Sequence, residues 1–310
     1  MNSVKYSIII PHYNTPDLLE RCVSSIPLSD DYQVIIVDDN SPNSKDYFEK
    51  YDFLKRKNIT LILTTEGLGS GHARNVGIKK AIGKWIIFSD ADDYFIPNLS
   101  TILDKYYNLE ADIVFLGAKC VMADDTSKIS PRGKVNRIKR YVQDKDLLKL
   151  AYMYTEPWGK IYRNEYIKNN DFLFDETPVC NDQFFSIQTQ FSTNKICVYD
   201  DPIYVYLSRP GSLSFGQKDS LEKKFIRFNV SVRVLNYIQS KGYKVFPSPT
   251  TYFLLRAKNL SEFSYYLKTL HKNKISVIRE IFTAIKRAIY VQKQKIRNIK
   301  TSDEIKIKKI

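Results

Sequence analysis

Three aspartates within four residues, directly after a short apolar run, are the feature that most constrains how this chain can fold. The run at residues 85–88 is rich in aromatic and β-branched residues, which is typical of a buried strand, and it leads into Asp90, Asp92 and Asp93. Crowded carboxylates repel one another and resist burial, so they need solvent, a shifted pKa or a counter-ion. The pattern predicts either a solvated acidic turn or a site for a hard divalent cation such as Mg²⁺ or Mn²⁺.

Earlier segments repeat the pattern of an apolar strand that ends in polar groups. Strands are predicted at residues 6–10, 33–37 and 59–63, and helical segments separate them. This alternation predicts a parallel sheet with right-handed crossovers, whose ligands bind at the carboxyl ends of the strands. An acidic pocket is therefore expected at one edge of the sheet. The side chains expected there are His12, Tyr13, Asp38, Asp39 and the group from Asp90 to Asp93.

A glycine-rich loop, with glycines at positions 67, 69 and 71, follows the third predicted strand and enters a helix that ends before Gly83. It is not the dinucleotide fingerprint, which has the spacing GxGxxG and follows a first strand. Backbone amides there could approach a phosphate, but a plain turn that needs a positive φ is an equally good interpretation. Arg74, in the first turn of the following helix, could reach an anionic or nucleobase edge in the same pocket.

The net charge of +14 is concentrated at the carboxyl end of the chain, where residues 271–310 hold twelve Lys and Arg against three Asp and Glu. Apolar residues at helical spacing within residues 275–292 predict a basic amphipathic helix, with Ile278, Ile281, Phe282 and Ile285 on one face. Two interpretations stay open: a helix packed on the core with a solvated basic side, and a helix docked on an anionic membrane surface. Nucleic-acid binding is not expected, because no recognised module accompanies the charge.

The chain also carries indications of where it works. No apolar run approaches the roughly 20 residues needed to cross a bilayer, and no signal peptide is visible at the start. The four cysteines lack paired spacing, which favours reduced thiols. We expect a cytoplasmic protein, with peripheral attachment to the inner face of the cell membrane as an open alternative.

Seven motifs occur in a fixed order along the chain: SIIIPHYN, VIIVDDNSPN, GSGHARNVGI, WIIFSDADD, PWGKIYR, ND at 181–182, and IYVYLSRPGS. Together they make the chain resemble glycosyltransferase family 2, a group of inverting enzymes with the GT-A fold. The resemblance implies an α/β fold, with a Rossmann-like, mostly parallel central sheet flanked by helices over residues 1–215. Residues 1–97 would form a nucleotide-binding half, residues 98–215 an acceptor-binding half, and residues 216–310 a basic helical C-terminal extension.

The resemblance also implies roles for individual side chains. Asp182 matches the catalytic base of the family and Asp92 matches the metal ligand. Without the resemblance, the position of Asp182 indicates a helix N-cap. Trp158 and Asn181 would line the acceptor site. The residues that would bind the nucleotide sugar are Pro11, Tyr13, Asp38, Asp39, Arg74, Asp90, Ala91 and Arg209.

The implied activity is transfer of a sugar from a nucleotide diphosphate sugar, with UDP expected over GDP, in the synthesis of a cell-surface polysaccharide. The acceptor would be a hydroxyl of a glycan or of a lipid-linked saccharide, and the cofactor Mn²⁺ or Mg²⁺. A catalytically silent scaffold that binds nucleotide or glycan is the alternative, although the presence of Asp90, Asp92 and Asp182 favours an active enzyme. A sugar nucleotidyltransferase is disfavoured, because PHYNTP stands where its phosphate loop would follow the first strand.

Overall fold

The structure is a computed structural model, and it describes residues 4–42, 44, 48–131, 136–209, 220–296 and 306–309. The chain divides into two compact units. The first consists of Met1–Asp146 with Met153–Lys218, and the second of Leu147–Tyr152 with Asp219–Ile310.

A seven-stranded sheet forms the centre of the first unit. Its strands are β1 (Tyr6–His12), β2 (Tyr32–Asp38), β3 (Ile59–Leu63), β4 (Trp85–Phe88), β6 (Ile113–Phe115), β8 (Lys160–Arg163) and β9 (Ile196–Val198), in the order β3-β2-β1-β4-β8-β6-β9. Only β8 runs antiparallel to its neighbours. The prediction of a mostly parallel central sheet is therefore confirmed.

A smaller sheet packs three further strands, β5 (Tyr94–Phe95), β7 (Ala118–Met122) and β10 (Tyr204–Ser208), in the order β5-β10-β7. The helices of the first unit are α1 (Pro16–Ser24), α2 (Ser70–Lys80), α3 (Leu99–Tyr106), α4 (Arg137–Asp144), α6 (Asn164–Asn169) and α7 (Gln183–Phe191), with a 3₁₀ turn at Asp52–Lys55. Helix α5 (Leu147–Met153) belongs to the second unit over Leu147–Tyr152.

The strands form where the sequence is apolar on both faces. Every residue of β1 is buried, and Ile8, Ile9 and Ile10 are fully inaccessible, as expected for a parallel strand covered on both sides. The strand predicted at residues 6–10 was too short, because β1 continues through Pro11 to His12. Its pairing with β4 ends at Ile9, so the missing amide of Pro11 interrupts no hydrogen bond on that side.

Three sequence-based assignments in the second half of this unit were incomplete or wrong. The helix that the sequence predicts near residues 144–152 is α5, whereas α4, which ends where Lys145 adopts a left-handed conformation with φ +55°, was not predicted. The segment after residue 116, for which the sequence indicates a polar hairpin or loop, contains strand β7 and an antiparallel bridge between Val121 and Ile129, and the segment beginning at Lys160 forms β8. The helix expected after Ser41 and the turn at Gly133 lie partly or wholly outside the described residues.

The second unit is mainly helical, as predicted. Its elements are α8 (Leu221–Ser240), α9 (Thr251–Arg256), α10 (Leu260–Lys272), α11 (Val277–Ile296) and an unpredicted antiparallel ribbon of β11 (Tyr243–Phe246) and β12 (Lys306–Lys309). Phe228, Leu235, Tyr266 and Leu270 lie at the centre of its core. Among the residues described, no helix has a stretch that is both long and apolar enough to cross a membrane.

Candidate active site

The carboxyl ends of β1, β2 and β4 meet at one edge of the central sheet, as the alternation of strands and helices predicted. His12 lies opposite Asp38 in the β1–β2 register, and Ile9 lies opposite Phe88, two residues before Asp90. Tyr13, just beyond β1, is 56% exposed at this edge. The edge therefore gathers the side chains that the sequence predicted for a pocket.

A buried hydrogen-bond network ties the end of β1 to the end of β2. Asp38 Oδ1 accepts hydrogen bonds from His12 Nδ1 at 2.7 Å and from Ser41 Oγ at 2.6 Å, and Oδ2 accepts one from the Ser41 amide at 2.9 Å. His12 Nε2 accepts from the Thr15 amide, so the ring proton lies on Nδ1 and points at Asp38. Burial opposes ionisation of Asp38, but the bonds from His12 and Ser41 lower its pKa. Asp38 thus shapes the pocket wall as a charged, fully bonded anchor.

Asp39 fixes the glycine-rich loop. Its carboxylate accepts hydrogen bonds from the amides of Leu68 at 3.1 Å and Gly69 at 2.7 Å. Gly69 has φ +91° and ψ 172°, a conformation essentially reserved for glycine, and it is the N-cap of α2. These two amides are used within the protein, which favours the turn interpretation for this part of the loop over a phosphate cradle.

The three aspartates after β4 divide into one buried anchor and two outward-facing acids. Asp93 accepts hydrogen bonds from the Tyr204 hydroxyl and the Leu207 amide, both at 2.8 Å, and so holds β10 in place. Burial and the nearby charges of Asp90 and Asp92 raise the pKa of Asp93 well above its usual range. The Asp90 and Asp92 side chains are 31% and 28% exposed and face the pocket edge, with the buried Ala91 between them.

Arg74 joins the acidic turn to a segment from the other half of the unit. Its Nη2 donates to Asp90 Oδ1 at 2.6 Å and its Nη1 donates to Asn181 Oδ1 at 3.0 Å. The guanidinium lies over the ring of Phe174 at 5.2 Å, and the residue is only 5% exposed. Arg74 therefore acts as a bridge between Asp90 and the residue that precedes Asp182.

Helix α2 holds the segment 174–181 along the whole of its first two turns. Asn75 accepts from the Phe174 amide and donates to the Phe174 carbonyl, and Ser70 Oγ accepts from Asn181 Nδ2 at 3.0 Å. A Cβ on Gly71 would collide with the carbonyl of Asp175. The segment that carries Asn181 and Asp182 is consequently pressed against α2.

Asp182 occupies the N-cap position of α7, but its side chain makes no capping hydrogen bond, and its backbone is already helical with φ −89° and ψ −23°. An N-cap role alone does not account for this carboxylate. Burial raises the pKa of Asp182, Arg74 opposes the rise, and Glu156 adds to it. A carboxylate with a raised pKa is suited to accept a proton in catalysis.

Arg209 directly follows β10 and contacts Asp92, the second of the two outward-facing acids. Its Nη2 donates to Asp92 Oδ2 at 3.0 Å, and its Nε lies 3.3 Å from the same oxygen. Burial and the charge of Asp90 raise the pKa of Asp92, whereas Arg209 lowers it. Asp90 and Asp92 are thus each neutralised by one arginine.

The two outward-facing acids fit a divalent cation that is completed by substrate oxygens. Arg74 and Arg209 each bind one carboxylate oxygen, which leaves Asp90 Oδ2 and Asp92 Oδ1 as hard donors of the kind that Mg²⁺ and Mn²⁺ prefer. Within the part of the chain that is described, no three His, Cys, Asp or Glu side chains converge on one point. The donor set suits an ion with open positions for diphosphate and water, and not a closed structural site.

Trp158 lies in a stack of aromatic rings and is only 4% exposed. Its ring is parallel to those of Tyr204 and Tyr206, with centroids 5.3 and 5.6 Å away. These stacked rings hold Trp158 in the core, and its predicted place in an acceptor site stays a prediction.

Sequence reasoning missed a group of buried charges near Asp182. Lys160 is fully buried, donates to the Tyr154 carbonyl and to Gln190, and has its pKa lowered well below the usual range by burial. Glu156 is 4% exposed and accepts from Arg137 Nη1 through both carboxylate oxygens. The sequence feature that could have indicated this group is that Glu156 and Lys160 flank the Pro-Trp-Gly turn.

The known proteins that this chain resembles are glycosyltransferases. A model of the glycosyl transferase family 2 domain matches residues 7–171. The poly(ribitol-phosphate) beta-N-acetylglucosaminyltransferase TarS of Staphylococcus aureus is 27% identical over 216 residues, which make up 66% of this chain and 36% of TarS. A poly(ribitol-phosphate) beta-glucosyltransferase of Bacillus spizizenii is 31% identical over 215 residues, 66% of this chain and 32% of that protein. The chain spans about a third of the length of these two relatives.

The fold is also shared with a solved structure. The crystal structure of S. aureus TarS 1–349 in complex with UDP-GlcNAc matches with a TM-score of 0.69 at 20% identity, over 99% of this chain and 97% of that one. This similarity covers the mixed α/β domain and the helical carboxyl end. With a family match over more than half of its residues, the chain belongs to glycosyltransferase family 2.

Proposed function

We propose that this chain catalyses the inverting transfer of a sugar from a UDP-sugar to a hydroxyl of a cell-surface glycopolymer. The Arg74 bridge carries the proposal. One buried guanidinium joins Asp90, at the edge where parallel sheets bind ligands, to Asn181, the neighbour of Asp182. Arg74 therefore ties Asp90, which is suited to contact a nucleotide sugar, to the segment that carries Asp182, which is suited to accept a proton.

In the proposed reaction, Asp182 accepts the proton of the acceptor hydroxyl as that oxygen attacks the anomeric carbon. The bond from the anomeric carbon to the phosphate oxygen breaks on the opposite face of the sugar, and the nucleoside diphosphate leaves with its electron pair. A single displacement of this kind inverts the anomeric configuration. The raised pKa of Asp182 keeps it basic enough to act, and base catalysis of this type contributes about 10²–10⁴-fold.

Asp92, with Asp90, would hold the Mn²⁺ or Mg²⁺ ion, which supplies neutralisation of the diphosphate charge when bound. Arg209 contacts Asp92 at 3.0 Å and so lies where it can bind the leaving diphosphate as charge develops there. Arg74 keeps Asp90 oriented, and the buried anchors Asp38 and Asp93 hold the strand ends rigid around them.

The relatives support the choice of donor and acceptor. TarS is named as an N-acetylglucosaminyltransferase acting on poly(ribitol-phosphate) and has been solved with UDP-GlcNAc. We therefore propose a UDP-hexose or UDP-N-acetylhexosamine as the donor for this chain. The proposed acceptor is a hydroxyl on a glycan, on a polyol-phosphate polymer or on a lipid-linked saccharide.

Calorimetric titration of UDP, GDP and CDP, with and without Mn²⁺, tests the donor site. We expect UDP to bind most tightly, to require the metal, and to lose binding in the Asp92→Ala variant. Asp30→Ala removes an exposed aspartate just before β2, at the end of the strand opposite Asp38, and serves as the matched control, with unchanged binding expected. Metal-independent binding, or equal binding by Asp92→Ala, would remove the proposed metal role.

A sugar-transfer assay with UDP release as the readout tests the base. Asp182→Asn should lower turnover by about 10²–10⁴-fold while UDP binding persists. The matched control is Asp171→Asn, an exposed position with φ +51°, which asparagine tolerates well. Tight UDP binding without turnover of any tested donor and acceptor would favour the silent scaffold instead.

A further inference from the structure

Helix α11 carries a row of large apolar side chains that points away from the core of its own unit. These side chains, called the α11 stripe, are Ile278, Phe282, Ile285 and Ile289, which are 82%, 58%, 50% and 52% exposed. Their spacing of four, three and four residues places them within one narrow face of the helix. Such a face, apolar and uncovered, is unusual on a helix that already packs on a core.

The opposite face is the one that attaches α11 to its unit. Ala284 is 5% exposed, and Glu280 is 2% exposed and accepts a hydrogen bond from Thr250 Oγ1 at 2.7 Å. Ile281, which the sequence placed on the same face as Ile278, is half-buried. The stripe is therefore additional to the helix's own packing and not a part of it.

The size of the stripe limits what can cover it. With four large apolar side chains that are each at least half exposed, the stripe presents on the order of 400 Å² of apolar surface. A stable protein–protein interface buries about 800 Å² on each partner, about twice that area. A lipid surface needs no such complementary area, because a shallow apolar row can enter the boundary between headgroups and acyl chains.

The charges beside the stripe favour an anionic surface. Arg279 and Lys286, seven residues apart, lie on one flank of the stripe, and the Lys286 ammonium sits 4.7 Å from the centre of the Phe282 ring. The Arg279 side chain is 51% exposed, and Glu280, the one acidic residue of α11, is buried. Residues 271–310 hold twelve Lys and Arg against three Asp and Glu.

We propose that α11 docks parallel to the surface of an anionic lipid bilayer, with the α11 stripe in the acyl boundary and Arg279 and Lys286 on the headgroup phosphates. Each basic residue held near such a surface strengthens binding and makes it salt-dependent. This docking is independent of the proposed transferase chemistry, because none of its residues belongs to the first unit.

Tryptophan substitution reports insertion directly. Phe282→Trp should show a blue-shifted emission when the full chain is mixed with vesicles of equal phosphatidylglycerol and phosphatidylcholine, and quenching by brominated lipid. The native Trp85 and Trp158 are buried and give a constant background. Leu260→Trp, at a position 87% exposed outside the stripe, is the matched control and should show no shift. Equal shifts at both positions, or none at either, would overturn the proposal.

Vesicle flotation tests the apolar and the electrostatic contributions to membrane binding separately. The partition coefficient on anionic vesicles should fall about tenfold or more when Ile278, Phe282 and Ile285 are all changed to Ser, and should stay unchanged in Leu260→Ser. Arg279→Gln with Lys286→Gln should lower it severalfold and weaken its salt dependence, and phosphatidylcholine vesicles alone should bind weakly. Circular dichroism verifies that each variant keeps its helices. If the wild type dimerises in light scattering and the triple variant is monomeric while vesicle binding is absent, the stripe is a contact between copies and the proposal fails.

Discussion

The imidazole of His12 donates a hydrogen bond of 2.7 Å to the carboxylate of Asp38, and neither side chain has any exposure to solvent. The two residues end adjacent parallel strands and are paired in register. A buried charged acceptor that loses its donor retains most of its desolvation penalty. The contact therefore stabilises the edge of the sheet on which the candidate site is built.

Replacing His12 by Phe is predicted to lower the free energy of unfolding by about 2–3 kcal/mol, because a hydrogen bond to a buried charged group is lost. Urea denaturation measures the effect. His72→Phe provides the matched control, since His72 contacts Glu176 at 3.0 Å in a pair whose side chains are 26% and 44% exposed. That exposed pair should contribute less than about 1 kcal/mol. Equal losses in the two variants would contradict the role assigned to Asp38.

The same pair predicts a pH dependence. The folded-state pKa of Asp38 is lower than its ordinary value of about 4, so the unfolded chain binds the proton more readily than the folded protein. The stabilisation from Asp38 is therefore complete above about pH 4 and is lost as the pH falls through the folded-state pKa. Urea curves in acid should show the difference between the wild type and His12→Phe shrinking below that pH.

The sequence predicted the parallel half of the sheet well, because its strands are long apolar runs that end in polar residues. β3 was predicted at its observed bounds, and the predicted gathering of His12, Asp38 and Asp90 at one edge is what the structure shows. β7 and β8 were missed because short strands such as Lys160–Arg163 are defined by their partners. The apolar residues of these two strands do not recur with a regular spacing that would predict a strand. The antiparallel pairing of β8 with β4 also joins positions far apart in the chain.

The candidate site was predictable as a set of residues but not as a set of contacts. Nothing in the spacing of Asp90, Asp92 and Asp93 indicated that the third turns inward to Tyr204, because that depends on a strand more than 100 residues later. The bridge from Arg74 to Asn181 is likewise non-local. Strand position identified the acids at the sheet edge, and the family resemblance identified Asp182 and Arg209, whereas only tertiary packing assigned each a partner.

The three glycines of the loop are predicted to respond differently to alanine. Gly71→Ala should lower the free energy of unfolding by about 1–3 kcal/mol, because its Cβ would meet the Asp175 carbonyl. Gly69→Ala should cost a similar amount for a different reason, its backbone at φ +91° being open only to glycine. Gly67→Ala, whose Cβ would have an ordinary contact of 3.7 Å, is the control and should change stability by less than about 0.5 kcal/mol. Urea denaturation of the three variants measures these losses, and a large loss at Gly67 would refute the assignment.

Arg74→Lys is predicted to lower turnover by about 10²-fold while conserving the charge. A lysine has one ammonium and cannot hold Asp90 and Asn181 at once in the planar, forked geometry of a guanidinium. The loss of either branch misplaces one side of the constellation, and a misplacement of about 1 Å can cost about 10²-fold in rate. Steady-state kinetics on donor and acceptor measure the change. Lys79→Ala, at an exposed position of the same helix, should be neutral, and a fully active Arg74→Lys would show that the bridge is dispensable.

Asp182 is predicted to set the acid side of the activity profile, with an apparent pKa above the ordinary aspartate value of about 4. Activity needs the deprotonated carboxylate, so kcat/KM should fall as the pH drops through that raised pKa. The negative charge of Glu156 contributes to the rise, and Glu156→Gln removes that charge while leaving Arg137 in place. The acid limb should therefore move to lower pH in Glu156→Gln. Glu110→Gln, at a side chain 88% exposed, should leave the limb where it is in the wild type. A limb that does not move in Glu156→Gln would mean that the buried charges beside the Pro-Trp-Gly turn support the fold without tuning the base.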